Sequence, residues 1–195
     1  MNNSVLSPHI LVKAYSVGLF PMADMITGEI SWYKPDPRAI IPLGGFHISR
    51  SLKKFINKNH YRISYSEAFT KVMRSCSNRS DTWISDNLVE AYSRMNRMGA
   101  AHSVEVWEGE ELVGGVYGLS LGGAFFAESM FHTRDNTSKL ALYYLVEKLK
   151  HSGFTLLECQ YMTDHLESLG AKEISDEIYQ EKLQYSVNQD VFFKI

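Results

Sequence analysis

Apolar positions over the first hundred residues recur at spacings of three and four, the period of helices that bury one face. Ser7 and Pro8 open the first helix as cap and first-turn residue, Ile10, Leu11, Ala14 and Tyr15 follow in register, and Gly18 stops it. Residues 19–22 and 32–38 are proline-broken and aromatic and read as packed loops, with a short strand at Ile40 and Ile41. Ser49 caps a basic helix over 50–58 that buries Leu52, Phe55 and Ile56. Further helices are predicted around 67–76, with Ala68, Phe69, Val72 and Met73 in register, and over 86–98, capped by Ser85 and ended by Gly99.

From Ser103 the period changes to two. Residues 103–107 alternate, 108–111 turn, and 112–131 make two strands joined at Leu121, Gly122 and Gly123, so a three-stranded antiparallel meander is expected. A loop over 132–136 leads into a helix capped by Thr137 or Ser138 and running to His151, with Leu142, Leu145, Val146 and Leu149 inward. A strand over 154–160, a short helix capped by Asp164 and reaching Leu169, and a helix from Asp176 to near Tyr185 complete the chain.

The stretch 112–131 organises the rest. Gly114, Gly115 and Gly118 thin its first strand, and interior glycines mark close approach by a ligand or by another backbone. In the second strand Phe126, Glu128 and Met130 share one face by alternation. Glu128 then either joins the floor of a pocket or points to solvent.

The element order implies an α+β fold, with a mixed, largely antiparallel sheet flanked by helices. Meander, helix, strand, helix is also the order of the GNAT acyltransferase fold, a resemblance that by itself assigns no function. The expected division is a small, shortened N-terminal helix-and-loop segment over 1–36 and a catalytic domain over 37–195. A chain of 195 residues, 45% hydrophobic and 22% charged, is sufficient for one ordinary core. No apolar run approaches the roughly 20 residues of a membrane span. The first residues lack the basic and apolar regions of a signal peptide, and Cys76 and Cys159 have no metal or redox spacing. A cytoplasmic protein is expected.

Charge is divided unevenly. Residues 1–100 hold 13 Lys and Arg against 7 Asp and Glu, and residues 101–195 hold 7 against 15. Such a split suits a polyanion over one half and a cationic partner over the other, unless folding intermixes the two.

Ten stretches, in order, resemble the leucyl/phenylalanyl-tRNA–protein transferases. They are GLFPM at 18–22, WYKPDPRA at 32–39, FHISRSL at 46–52, TWI at 82–84, AHSVEVW at 101–107, LVGGVYG at 112–118, ESMF at 128–131, SK at 138–139, ECQ at 158–160 and HLESLGA at 165–171. The resemblance implies a GNAT-like catalytic domain that works without metal or coenzyme A. It implies transfer of Leu or Phe, and also Met, from aminoacyl-tRNA to proteins beginning with Lys or Arg, marking them for degradation. A monomer is expected.

Residue by residue, the resemblance places Met22, Val116, Glu128, Met130 and Leu142 around the amino-acid side chain and Trp83 against the terminal adenosine. Met22 stands where family members carry Trp. Gln160 matches the residue credited with activating the amine. Glu158 matches an Asp credited with proton relay, and being one methylene longer it either relays the proton by adjustment or attracts the incoming Lys or Arg. At alternate strand positions the two would share a face, roughly 6.6 Å apart. Arg50, Lys53, Lys54, Lys58, Arg74 and Arg79 are the candidates for tRNA phosphates. Two departures bear on that surface: fewer residues precede the Ser7 helix, and Glu173-Ile-Ser-Asp-Glu177 lacks the basic residue often found there.

Two rival functions are an acetyl-CoA-dependent GNAT acetyltransferase and a non-catalytic aminoacyl-tRNA-binding protein. The first is disfavoured because the loop over 132–138 has no glycine to bring backbone amides onto a pyrophosphate. A hydrolase using Ser129 with His132 or His165 lacks a nucleophile elbow.

Overall fold

The computed structural model describes residues 6–58 and 60–194. Residues 1–5 of the expected N-terminal segment lie outside that range. Helix α1 (Pro8–Tyr15) is capped by the Ser7 hydroxyl, which accepts the Ile10 N–H. Two strands follow where loops were expected, β1 (Phe20–Ala23) and β2 (Ile30–Tyr33), paired antiparallel with Phe20 opposite Tyr33. The Asp24 carboxylate closes the turn between them by accepting the N–H groups of Ile26 and Thr27. Pro21 is tolerated because a two-stranded ribbon consists only of edges.

The main sheet gathers seven strands in the order β4-β5-β6-β7-β8-β3-β9. The expected meander is β5 (Ala101–Glu108), β6 (Glu111–Leu121) and β7 (Ala124–His132). Strands β4 (Arg62–Tyr65) and β9 (Lys172–Ile174) were not anticipated, being short edge strands with little alternation. Strand β3 (Arg38–Ile40) starts two residues before the expected strand and pairs with both β8 (Leu156–Gln160) and β9.

Helices cover both faces. On one, α1 packs with α3 (Phe69–Ser77), α4 (Asp86–Arg97) and α7 (Asp176–Val187) around Tyr15, Met73, Tyr92, Phe126 and Tyr179. On the other, α5 (Thr137–Ser152) and α2 (Arg50–Asn57) cover Val104, Val116, Phe125 and Leu157. Two caps differ from expectation. Asn136, in a left-handed conformation, precedes α5, and the Thr137 hydroxyl instead donates to the Val113 carbonyl at 2.7 Å. Thr163, not Asp164, caps α6 (Asp164–Ser168). Among the described residues no helix is long and apolar enough to cross a membrane.

The glycines of β6 serve the chain's own packing. A Cβ on Gly114 would lie 2.7 Å from Thr137, and one on Gly118 would lie 2.1 Å from the Phe126 carbonyl oxygen. The close approach expected at these positions is therefore made by α5 and β7. Gly118→Ala should destabilise the fold by about 3 kcal/mol, because the obstacle is backbone that cannot rotate away; urea unfolding of wild type and variant measures it.

Candidate active site

Two irregularities in the sheet create the site. Between β6 and β7, Tyr117 faces Ser129 while Gly118 faces Ala127, so Glu128 is an extra, unpaired residue. Such a bulge resets alternation. Phe126 and Met130 therefore lie on opposite faces, correcting the shared face expected for Phe126, Glu128 and Met130. The second irregularity is the parallel pairing of β7 with β8, which ends at Phe126 and Glu158. Beyond that point β8 continues beside β3 alone, and the two strands part.

A cavity of about 80 Å³ lies at the parting, lined by Val116, Met130 and Leu142 together with Ala127, Ser129, Cys159 and Leu166, and by Glu128. Three of the apolar residues assigned to the amino-acid side chain are thus brought together on the α5 face. Met22 and Trp83 are not among the lining residues. Both are half-buried against the cluster on the opposite face, where the Ala23 N–H donates to the Trp83 carbonyl at 3.2 Å.

Glu128 is buried, and its two oxygens are engaged from different elements. The Tyr15 hydroxyl donates to Oε1 at 2.6 Å, and Gln160 Nε2 donates to Oε2 at 2.9 Å. The Tyr92 hydroxyl hydrogen-bonds in turn to that of Tyr15. Burial pushes the Glu128 carboxyl up to about 8, against the hydrogen bond from Tyr15; the nearby Glu158 charge adds to the rise and the Gln160 contact opposes it.

Gln160 ends β8 with φ +64°, a left-handed conformation for a residue with a side chain. Its N–H turns back to Glu158 Oε1 at 3.1 Å while its side chain crosses the gap to Glu128. Glu158 itself is only 1% exposed and is held by Arg38, whose Nη1 donates to Oε1 at 2.8 Å. Burial raises the Glu158 carboxyl, and the Arg38 guanidinium opposes that rise. Glu158 is not among the cavity residues, so Gln160 meets the cavity through Glu128 whereas Glu158 faces Arg38.

Sequence reasoning did not single out Tyr15, Tyr92 or Arg38. Both tyrosines sit on the apolar faces of their helices and read as core. Arg38 carried a usable signal, a cation entering the apolar strand Ala39, Ile40, Ile41, where burial demands a partner.

The six basic candidates divide by face. Arg50, Lys53, Lys54 and Lys58 are exposed on or just after α2, on the cavity side of the sheet, and none has an ion-pair partner among the described residues. Arg74 pairs with Asp86, and Arg79 lies 3.8 Å from Asp81, on the opposite side with α3 and α4.

A parallel pair that parts within an otherwise antiparallel sheet, with helices on both faces, is the arrangement of the GNAT-like fold expected from the element order. The family model described as leucyl/phenylalanyl-tRNA protein transferase matches residues 40–184, and that of the family's N-terminal domain matches residues 4–36. The chain belongs to this family. It is 45% identical over 194 residues to the leucyl/phenylalanyl-tRNA–protein transferase of Cereibacter sphaeroides, covering 99% of this chain and 91% of that one. The Chlorobaculum parvum protein of the same name is 46% identical over 187 residues, covering 94% and 96%. Among solved structures, L-PGS from Bacillus licheniformis superposes with a TM-score of 0.50 at 12% identity, covering 94% of this chain and 71% of that one. That likeness is one of fold.

Folded-state Glu128 keeps its proton up to about pH 8, whereas an ordinary glutamate releases it near 4.5. The folded state binds the extra proton within this window, so its contribution is complete below the lower value and declines as pH rises through the upper one. Unfolding midpoints should fall from pH 5 to pH 9 more steeply for wild type than for Glu128→Gln, which does not titrate.

Proposed function

We propose that this protein transfers Leu or Phe, and also Met, from aminoacyl-tRNA to the α-amino group of proteins beginning with Lys or Arg. The transfer, placed in the cytoplasm and carried out by a monomer, marks the acceptor for degradation. The observation that carries this reading is the apolar cavity of Val116, Met130 and Leu142 opening beside the hydrogen-bonded Glu128 and Gln160.

The donor is an ester already activated by the ribose to which it is joined, so much of the catalysis is positioning. The acceptor amine attacks the ester carbonyl carbon, a C–N bond forms, the C–O bond to the ribose breaks, and the leaving oxygen gains a proton while the amine loses one. That proton is assigned to Glu128 in its ionised form, the minor form at pH 7. A carboxylate raised to about 8 matches an α-amine of pKa about 7.7–8.0, so transfer between them is nearly balanced. A lysine side chain, near 10.4, is almost never neutral at pH 7, which favours the chain terminus as nucleophile. Gln160 offers an amide to orient the amine.

Val116, Met130 and Leu142 form the walls for the transferred side chain. Discrimination per methylene in such a pocket is only about 1–3 kcal/mol, which fits acceptance of Leu, Phe and Met together. Trp83 is assigned to stack on the terminal adenosine, reached from the cavity through the gap between β7 and β8, and such stacking contributes about 1–3 kcal/mol per base. The unpaired cations of α2, on the cavity side, suit the phosphates of the acceptor stem. An acetyl-CoA reading is disfavoured by the glycine-free loop over 132–138 that leads into α5.

Radiolabelled Phe-tRNA and Leu-tRNA supplied with a protein beginning with Arg test the reading directly; absence of transfer would end it. In the same assay Gln160→Ala should lose about a hundredfold in kcat while keeping its unfolding midpoint. Charge reversal at Lys53 and Lys54 should raise KM for tRNA and flatten its salt dependence by about two phosphate contacts. Short aminoacyl-adenosine donors should be unaffected by that reversal, and an equal loss with them would remove α2 from the RNA path.

A further inference from the structure

The guanidinium of Arg38 is completely buried, a costly placement, with Nη1 and Nη2 hydrogen-bonded and Nε without a hydrogen-bond partner among the described residues. Backbone pairing with β8 and β9 already anchors β3, so the side chain is not needed to hold the strand. Its contacts run toward the site instead. Nη1 donates to Glu158 Oε1 at 2.8 Å and Nη2 donates to the Gly18 carbonyl at 2.7 Å, while the guanidinium carbon sits 4.3 Å from the Tyr179 ring centre and 5.5 Å from that of Phe20. Glu158 Oε1 also accepts the N–H of Gln160, the residue held at φ +64°. A non-glycine residue in that region persists only where its surroundings over-determine it.

We propose that Arg38 is a positioning residue for Gln160. By fixing Glu158 in front of the Gln160 N–H, it holds Gln160 in the left-handed conformation that points its amide across the gap to Glu128. The role of Glu158 is then to lock the backbone of its neighbour, with the proton handled elsewhere. The extra methylene of a glutamate lets one oxygen meet both Arg38 and the N–H two residues on. Through the Gly18 carbonyl, the loop after α1 becomes part of the same clamp. The proposal rests on the transferase reading for its kinetic test but has a structural test that does not.

Arg38→Met combined with Glu158→Gln removes both charges at similar volume, a replacement that buried ion pairs often tolerate. Arg38→Lys keeps the charge without the forked reach. Gly18→Ala disturbs the clamp while keeping both charged side chains, since Gly18 has φ +80° and its Cβ would lie 2.8 Å from the Tyr179 ring and 3.6 Å from Arg38 Nη2. Each variant is assayed with Phe-tRNA and an Arg-initiated peptide well below its own unfolding midpoint. The double variant and Gly18→Ala should lose about tenfold or more in kcat with both KM values within about twofold, and Arg38→Lys should retain part of the rate. Unchanged kcat in a folded double variant, or a loss confined to KM, overturns the proposal. A crystal structure of the double variant reads the same point without any assay: Gln160 should leave its left-handed conformation or turn its amide from Glu128. If it keeps both, the proposal fails even where transfer is robust; if wild type transfers nothing, the transferase reading fails and this comparison still stands.

Discussion

Glu128 is a carboxylate taken out of water at a break in the sheet, and everything around the site answers the cost of putting it there. An isolated charge in such a place is untenable, so the group either gathers donors or keeps its proton. It does both. Tyr15 and Gln160 supply donors, and burial holds the carboxyl near 8. The donors come from α1 and from the end of β8, so one side chain joins the N-terminal helix, the meander and the strand after α5. The bulge makes this possible. Because Glu128 has no partner across β6, its side chain is free to lie in the gap between β7 and β8.

A second buried acid, Glu158, lies two residues before Gln160 in the chain. Arg38 and Glu158 form an ion pair with almost no exposure, stacked on Tyr179 and tied to the Gly18 carbonyl. Placing two ion-carrying clusters on either side of Gln160 gives a short strand end little freedom. Rigidity of this kind suits aminolysis of an activated ester, where orientation contributes more than chemical assistance. The site is therefore better described as a fixed frame beside an apolar slot than as a flexible set of reactive groups.

The uneven charge along the chain survives folding only in part. Lys34 with Asp176, Arg38 with Glu158 and His60 with Glu108 join the basic first half to the acidic second half. Arg74 and Arg79 lie beside nearby acids. Among the described residues Lys13, Lys71 and Arg97 also lack an ion-pair partner, but the row on and after α2 is set apart by its position on the cavity side of the sheet. Net charge by halves pointed toward a polyanion, but which cations stay free was decided by their neighbours in space.

Periodicity, caps and glycine stops were sufficient to mark most helices and the meander, because those signals are local and each residue carries its own share. The ten motif stretches, taken together in their order, were likewise enough to reveal the family, and those at 128–131 and 158–160 named Glu128 and Gln160. The short strands β1, β2, β4 and β9 were not legible, since a three- or four-residue strand exists only through its partner. Alternation misplaced Phe126 and Met130 because a bulge depends on the register of the facing strand. The roles of Tyr15 and Arg38 were likewise hidden: their partners lie 113 and 120 positions away, and an apolar helix face or a strand start looks the same whatever it meets. Local chain chemistry thus determined the elements and the kinship, while burial and electrostatics, which act through space, decided which side chains share a proton, a charge or a wall.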